Sequence, residues 1–250
     1  YKKKQSTMLK RTPSLTEQAK SLIKQRIINQ EFDQGRIPSE TDLADELGVS
    51  RTTIRDALSR LELEGTIFRK QGAGTFVNEA SLQIHTRLEE IWLYETMLEA
   101  HGYTPSNRII NVEEQPVEPN TASQLNLSPA DTVLQVKKLF LADNEPVILT
   151  INYIPTHFIN GTYTNNSFHQ PLFKFMDEFC QQNLAYYLSE MQPLIAPDWL
   201  VDLLNLPQQP TALIAFEEIG YNQDNEPILK AQSFFRDDLL RLRLIRRESI

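Results

Sequence analysis

Apolar residues recur at helical spacing over three stretches of the N-terminal part of the chain, and this pattern predicts three helices. The first is predicted from about Leu15 to Asn29, because Ser14 can cap it and Glu17 stands at the capping-box position. Its buried stripe is predicted to consist of Leu15, Ala19, Leu22, Ile23 and Ile27.

The next two helices are short and lie close together in the sequence. Ser39 is predicted to cap the second helix, which ends at Gly48, a residue that tolerates the left-handed conformation after a helix end. Ser50 is predicted to cap the third helix, which runs to Gly65. Two short helices joined by GVS are typical of a helix-turn-helix. The positions predicted to face inward are Leu43, Ala44, Leu47, Ile54, Ala57, Leu58 and Leu61.

After Gly65 the pattern changes from helical to β-like. Two β-prone runs, Ile67–Lys70 and Thr75–Val77, flank the sequence QGAG, whose glycines permit a tight hairpin. A helix-turn-helix followed directly by a hairpin predicts a winged helix over residues 14–77. The basic segment 1–13 before it is predicted to be a disordered tail, and residues 78–84 are predicted to be a linker.

Residues 85–250 are predicted to form a second domain that is rich in strands. A helix is predicted over Leu82–His101, with shorter helices over 171–182 and from Pro197. Two hairpins are predicted, and both contain the phrase DNEP followed by two aliphatic residues, at 143–148 and 224–229. Asp-Asn favours tight turns, so turn chemistry alone explains the recurrence as well as two related halves of one sheet do.

Charge is distributed unevenly along the 250 residues, whose formal net charge is −8. Residues 1–80 carry 14 Lys and Arg against 11 Asp and Glu, whereas the remainder carries 11 against 22. This asymmetry suggests that two halves have different partners. No apolar run approaches the roughly 18 residues that a membrane span needs, and the basic start has no apolar core of a signal peptide. The single cysteine, Cys180, fits a reducing cytoplasm, where we expect the protein to act.

The exposed first turn of the third helix carries short hydroxyls and long cations, and no acid precedes Asp56. A major groove about 12 Å wide admits one helix, whose N-terminal residues reach the base edges. An ordinary solvated helix face is the alternative, but the cap, the cations, the turn spacing and the hairpin together favour a DNA-reading helix. The candidate DNA contacts are Ser50, Arg51, Thr52, Thr53 and Arg55 in the helix and Arg69, Lys70, Gln71 and Gly72 in the wing.

Residues 15–77 resemble the DNA-binding domain of GntR-family bacterial transcription regulators. The resemblance is carried by IPSETDLADELGVSRTTIRDALSRLELEG and by the wing QGAGTFV. It implies base and phosphate contacts from the first turn of the third helix, with Gln71 and Gly72 at the wing. Where the family often has an arginine that reads a guanine, this chain has Thr41, so its operator is expected to differ at that base pair.

Residues 85–245 are similar to the UTRA effector-binding domain of the HutC-type branch of that family. The matching motifs are looser: two D-x-x-P hairpins, YIP at 153–155 and an aromatic-Arg-Asp at 235–237. The resemblance implies an antiparallel sheet flanked by helices and related in fold to chorismate lyase. The whole chain is then of the α+β class.

The resemblance also indicates where a small-molecule effector would bind. Branch members that bind phosphorylated sugars tend to have Arg-x-Arg where this chain has Lys138, Leu139 and Phe140, a Ser where it has Pro171, and a Glu where it has Gln232. Lysine is only a point charge, so a sugar phosphate is less expected here than in the branch as a whole. Our hypothesis is a ligand contacted by Lys138, Phe140, Gln232, Phe234 and Arg236, although each could equally belong to a strand face or a surface ion pair.

Two other classes of protein compete with a regulator. An enzyme would need a site, but His85, His101, His157 and His169 lack metal-ligand spacing, and no nucleophile elbow or phosphate-binding glycine loop is present, so no catalytic residue, metal or cofactor is predicted. An architectural DNA protein would be strongly basic, which the acidic C-terminal part contradicts. The sequence therefore predicts a transcription regulator, a homodimeric repressor that binds palindromic double-stranded DNA and a small effector and has no membrane partner.

Overall fold

A computed structural model describes residues 13–82, 91–207, 210–240 and 242. The chain divides into two compact units, with residues 13–82 in the first and residues 91–240 in the second. The predicted tail lies outside the described residues except at Pro13. Part of the predicted linker, Glu79–Leu82, is a short helix.

The N-terminal unit contains the predicted helix-turn-helix and hairpin, with caps where the sequence placed them. The Ser14 hydroxyl accepts a hydrogen bond from the Glu17 amide, and Ser39 and Asp42 form a reciprocal capping box. Gly48 adopts a φ of 64°, which confirms its predicted role as the left-handed residue between the two helices. The elements are α1 (Leu15–Ile28), β1 (Arg36–Ile37), α2 (Glu40–Leu47), α3 (Arg51–Leu63), β2 (Ile67–Lys70), β3 (Gly74–Val77) and α4 (Glu79–Leu82).

One hydrophobic core joins α1, α2, α3 and the three-stranded sheet, whose order is β1-β3-β2. The buried stripe of α1 is narrower than predicted, since Leu15 and Leu22 are 59% and 47% exposed and only the i, i+4 row points inward. The unit is therefore a winged helix with a single core. Its buried residues are Ala19, Ile23, Ile27, Phe32, Ile37, Leu43, Ala44, Ile54, Ala57, Leu58, Leu61, Ile67 and Val77.

The C-terminal unit is an antiparallel sheet of strand order β4-β5-β6-β9-β8-β7, as seen in the described residues. Both predicted hairpins are present, and Asp143 and Asn144 turn the first with φ values of 50° and 72°. The elements are α5 (Tyr94–Ala100), β4 (Pro105–Pro116), α6 (Pro119–Gln124), β5 (Thr132–Ala142), β6 (Glu145–Pro155), α7 (Leu172–Cys180), β7 (Tyr186–Ile195), α8 (Asp198–Leu203), β8 (Ala212–Tyr221) and β9 (Pro227–Phe235).

The helix predicted over Leu82–His101 is confirmed only in its C-terminal part. Residues 83–90 lie outside the described chain, and 91–93 are not helical, so α5 begins only at Tyr94. The apolar spacing of Trp92 reflects packing in a non-helical segment, since its ring meets Phe216 and Phe235 edge to face.

The sheet consists of two halves with the same order of elements. The first runs β4, α6, β5, β6 and the second runs β7, α8, β8, β9, and the halves meet where β6 pairs with β9. The two DNEP phrases occupy the equivalent hairpins of these halves, which supports the interpretation that the sheet has two related parts.

Alternation of side chains gives the sheet two different faces. On one face, Leu139, Leu149 and Phe234 pack against α8. On the other face, Val136 and Ala231 pack against Phe175 of α7. A cavity lies on the α7 face of the sheet.

Candidate DNA-binding surface and ligand cavity

The start of α3 is held by its own hydroxyls. The Ser50 Oγ accepts a hydrogen bond from the Thr53 amide at 3.1 Å and lies 2.8 Å from the Thr53 Oγ1. These two predicted DNA contacts therefore fix the helix start as well. Because the first turn contains no acid, the positive end of the helix dipole faces outward without opposition.

Arg51, Thr52 and Arg55 are exposed on the same end of α3. Within the described residues, neither arginine forms an ion pair, so both guanidinium groups are free for another partner. Thr41, in the first turn of α2, is also exposed. These exposed side chains are therefore candidates for contacts with base edges and phosphates, and the two arginines would break no ion pair with a described residue to make them.

The wing hairpin presents its two cations differently. Arg69 lies 3.2 Å from a Glu62 carboxylate oxygen and 4.0 Å from one of Glu40, and thus points back toward the helices. Lys70 is exposed and makes no ion pair with any described residue. Gln71 and Gly72 form the tip, where Gly72 needs its φ of 74° to turn the chain. Lys70 is therefore the available wing cation.

A cavity of about 250 Å³ lies on the α7 face of the sheet, a size suited to a small molecule. The start of α7 and the segment 91–95 enclose it, and strands β5, β6, β9, β8 and β7 form its floor. Successive inward positions on those strands line it: Val136, Lys138, Phe140, Thr150, Asn152, Ala231, Ser233, Phe216, Glu218, Tyr187 and Ser189.

Lys138 occupies the β5 end of the cavity, where its ammonium group contacts two carbonyl oxygens and one carboxylate. Its Nζ donates to the carbonyl oxygens of His169 and Gln170, both at 3.1 Å, and lies 3.6 Å from a Glu95 carboxylate oxygen. Asn107 extends the network, since its amide donates to Glu95 and its Oδ1 lies 2.7 Å from the His169 ring nitrogen. Burial lowers the pKa of Lys138 and the Glu95 charge opposes that shift.

Glu218 occupies the β8 end. The Ser189 hydroxyl donates to its carboxylate, while the nearby hydroxyls of Tyr94 and Ser233 lie 2.9 Å apart. Burial raises the pKa of Glu218, although the Ser189 hydrogen bond opposes this. Burial, and after it the Glu218 charge, also raises the pKa values of Tyr94 and Tyr187. Among the described residues, no cation forms an ion pair with Glu218.

The structure brings only two of the five predicted ligand residues, Lys138 and Phe140, into this cavity. Gln232 and Phe234 lie on the opposite face of β9, because their neighbours Ala231 and Ser233 are the ones that point to α7. Arg236 follows the strand and donates to the carbonyls of Pro146 and Leu204, both at 3.0 Å. A ligand in the cavity would therefore not contact these three.

Sequence reasoning missed Tyr94, Ser189, Glu218 and Ser233. Tyr94 begins α5, and the other three residues lie on separate strands. Such a set carries no local sequence signal, because long-range packing and strand register bring its members together. On β9 the predicted residues were Gln232 and Phe234, whereas Ser233 between them lines the cavity. A shift of one residue exchanges the two faces of a strand.

A winged helix whose exposed α3 arginines form no ion pair with any described residue, followed in the chain by a sheet unit with a ligand-sized cavity, is typical of a DNA-binding regulator with an effector domain. Comparison with known proteins agrees. The family model described as bacterial regulatory proteins, gntR family, matches residues 15–77, and the UTRA domain model matches residues 100–241. The chain belongs to the GntR family of regulators and carries a UTRA domain.

Similar proteins support that assignment over most of the chain. The HTH-type transcriptional repressor NagR of Bacillus subtilis is 23% identical over 81% of this chain and 82% of its own length. The mannosyl-D-glycerate transport/metabolism system repressor MngR of Escherichia coli is 25% identical over 89% and 92%. The histidine utilization repressor of Pseudomonas putida is 28% identical over 78% and 75%.

Solved structures share the fold. The possible transcriptional regulator YydK from Bacillus subtilis superposes with a TM-score of 0.71 at 17% identity, covering 95% of this chain and all of that one. PhnF from Mycobacterium smegmatis gives 0.57 at 18% identity, covering 92% and 100%. In the part of the chain that the structure describes, no helix is long and apolar enough to cross a membrane.

Proposed function

We propose that this chain is a cytoplasmic repressor that binds a palindromic operator as a homodimer and releases it when a small metabolite fills the cavity. The observation that carries the proposal is the combination of two exposed arginines at an acid-free helix start, which form no ion pair with any described residue, with a cavity in a separate unit of the same chain. One α3 helix reads only a few base pairs, so useful specificity needs two copies on a symmetric site.

The regulatory step needs only a difference in affinity between two arrangements of the dimer. A ligand that binds one arrangement better shifts the population toward it. Coupling of roughly 1–3 kcal/mol would change operator affinity about 5–150-fold. The relatives named above as repressors support release, rather than recruitment, as the response.

We assign the effector to the cavity between Lys138 and Glu218 and keep Lys138 and Phe140 as lining residues. We further propose that the chain regulates and does not catalyse, since the relatives that it matches over most of its length are named as regulators.

The first experiment is selection of binding sites from random-sequence DNA by the full chain, followed by anisotropy titration of the selected site and light scattering of the free protein. We expect a palindrome with half-sites about one helical turn apart, or a multiple of that, and a dimeric mass. A double variant, Arg51→Ala with Arg55→Ala, serves as the control and should enrich no motif. An asymmetric motif bound by a monomer would contradict the proposal.

A further inference from the structure

The ionisable side chains of the cavity do not balance. Among the described residues, its lining includes one cation, Lys138, and two carboxylates, Glu95 and Glu218, beside several tyrosines. Of the three N–H donors of Lys138, two are taken by carbonyl oxygens, and the ammonium group also forms an ion pair with Glu95 at 3.6 Å. The cation therefore offers little to an incoming anion, and it neutralises Glu95 rather than Glu218.

The two ends of the cavity are too far apart for Lys138 to compensate Glu218. Lys138 lies on β5 and Glu218 on β8, which places three strand-to-strand steps, roughly 14 Å, between their backbones. The described residues contribute only the Ser189 hydroxyl as a side-chain donor to Glu218, whereas a carboxylate has about four acceptor sites. The Glu218 carboxylate therefore has acceptor sites that no side-chain donor of the described residues occupies.

Aromatic rings surround the same end. Phe216 is on the same face of β8 two residues before Glu218, and the Trp92 ring meets it edge to face at 5.3 Å between ring centres. Tyr187 stands in the same relation to Ser189 on β7, and Tyr94 is linked to this end through Ser233. A carboxylate in a cavity that is also lined by aromatic rings is an environment that attracts a cation, because both the negative charge and the ring quadrupoles favour it.

We infer that the effector carries a protonated nitrogen, as in an amine, guanidine or imidazole, that binds Glu218, and that phosphorylated ligands are excluded from this cavity. The inference deepens the function proposed above and rests on the cavity being the effector site. It names a class of ligand, which the sequence alone left open.

The test is a thermal-shift titration of the full chain at fixed ionic strength. The cationic probes are agmatine, histamine and choline, and the anionic probes are N-acetylglucosamine 6-phosphate, glucose 6-phosphate and inorganic phosphate. We expect at least one cationic probe to raise Tm by roughly 3–6 °C at ten times its Kd, and no anionic probe to do so.

Two variants show whether Glu218 is responsible. Glu218→Gln should abolish the response, and its ligand-free Tm should equal or exceed that of the wild type, because an uncompensated carboxylate has been removed. Glu190→Gln removes the same charge from an exposed position on β7 outside the cavity and should respond like the wild type. A shift from phosphorylated probes, a cation response that survives Glu218→Gln, or no response to any cationic probe would overturn the inference.

Operator anisotropy with the same probes separates this inference from the proposed function. A cation that binds through Glu218 but leaves operator affinity unchanged would support the ligand class and contradict the regulatory role. A phosphorylated probe that binds and changes operator affinity would support the regulatory role and contradict the ligand class.

Discussion

Helix α3 and the cavity both contain cations that were predicted from the sequence to be binding residues, but the surroundings of these cations differ. Arg51 and Arg55 are exposed and form no ion pair with any described residue, whereas Lys138 is buried and satisfied by Glu95 and two backbone carbonyls. The availability of a cation depends on its neighbours, and a sequence shows only that the cation is present. The two exposed arginines suit a polyanion such as DNA. In the cavity, where Lys138 is paired and no described cation pairs with Glu218, we propose the opposite charge preference.

If Lys138 is a structural cation, its removal should have the largest effect on stability. Lys138→Met keeps most of the apolar stem but leaves Glu95 and two carbonyls without their donor. We expect the free energy of unfolding to fall by about 2–4 kcal/mol, since breaking a buried pair costs roughly 3–5 and Glu95 is partly solvated. Urea denaturation followed by circular dichroism measures this.

Lys137→Met is the matched control, because Lys137 neighbours Lys138 on β5, is half-buried, and points to the other face. Its cost should be well below that of Lys138→Met. Equal costs would mean that the Glu95 network does not hold Lys138 as the structure shows.

Removal of Arg55 is expected to weaken DNA binding and to leave stability unchanged. Arg55→Ala should leave Tm unchanged and cost about 1–3 kcal/mol, or 5–150-fold, in operator affinity, with little loss on random DNA, if it reads a base. Anisotropy titrations on both DNAs measure the difference.

The control is Arg60→Ala, which removes the same charge from the far end of α3, where Arg60 pairs with Glu17. It should affect neither DNA strongly. An equal loss on operator and random DNA for Arg55→Ala would assign Arg55 to phosphate contact instead.

The two cations of the wing also differ in their partners, and a smaller effect is expected from each. Lys70→Ala should weaken binding to operator and random DNA alike and lower the salt slope of binding by about one, since a free lysine at the wing releases about one counterion. Arg69→Ala should lower the slope less, because Glu62 and Glu40 already neutralise part of its charge. Slopes measured over a series of salt concentrations decide this, and a larger change for Arg69 would reverse the assignment.

How far the sequence predicted the structure follows from the range of the interactions involved. Caps and turns depend on neighbours within a few residues, so Ser39, Gly48 and the Asp143-Asn144 turn were predicted correctly. Errors arose where distant contacts decide. Trp92 sits in a helical pattern but packs against β8 and β9 without forming a helix.

Prediction of the cavity-lining residues from the sequence was limited by distant contacts in the same way. Which face of β9 meets α7 is fixed by its pairing with β6 and β8, and the sequence of the strand, buried on both faces, does not reveal it. Lys138 and Phe140 lie in the cavity lining, as does Ser233, whereas its predicted neighbours Gln232 and Phe234 do not. The charge network around Lys138 joins four segments and has no counterpart in local sequence.

The junction between the two halves of the sheet has a consequence for motion. The β6–β9 ladder runs only from Ile148–Phe235 to Tyr153–Lys230, and Thr150 and Ser233, which line the cavity, face each other across it. A ligand that contacts both side chains would connect the two halves of the sheet. We expect amide hydrogens along this ladder to exchange more slowly with deuterium when the cavity is filled, so that occupancy is transmitted as stiffness of the sheet.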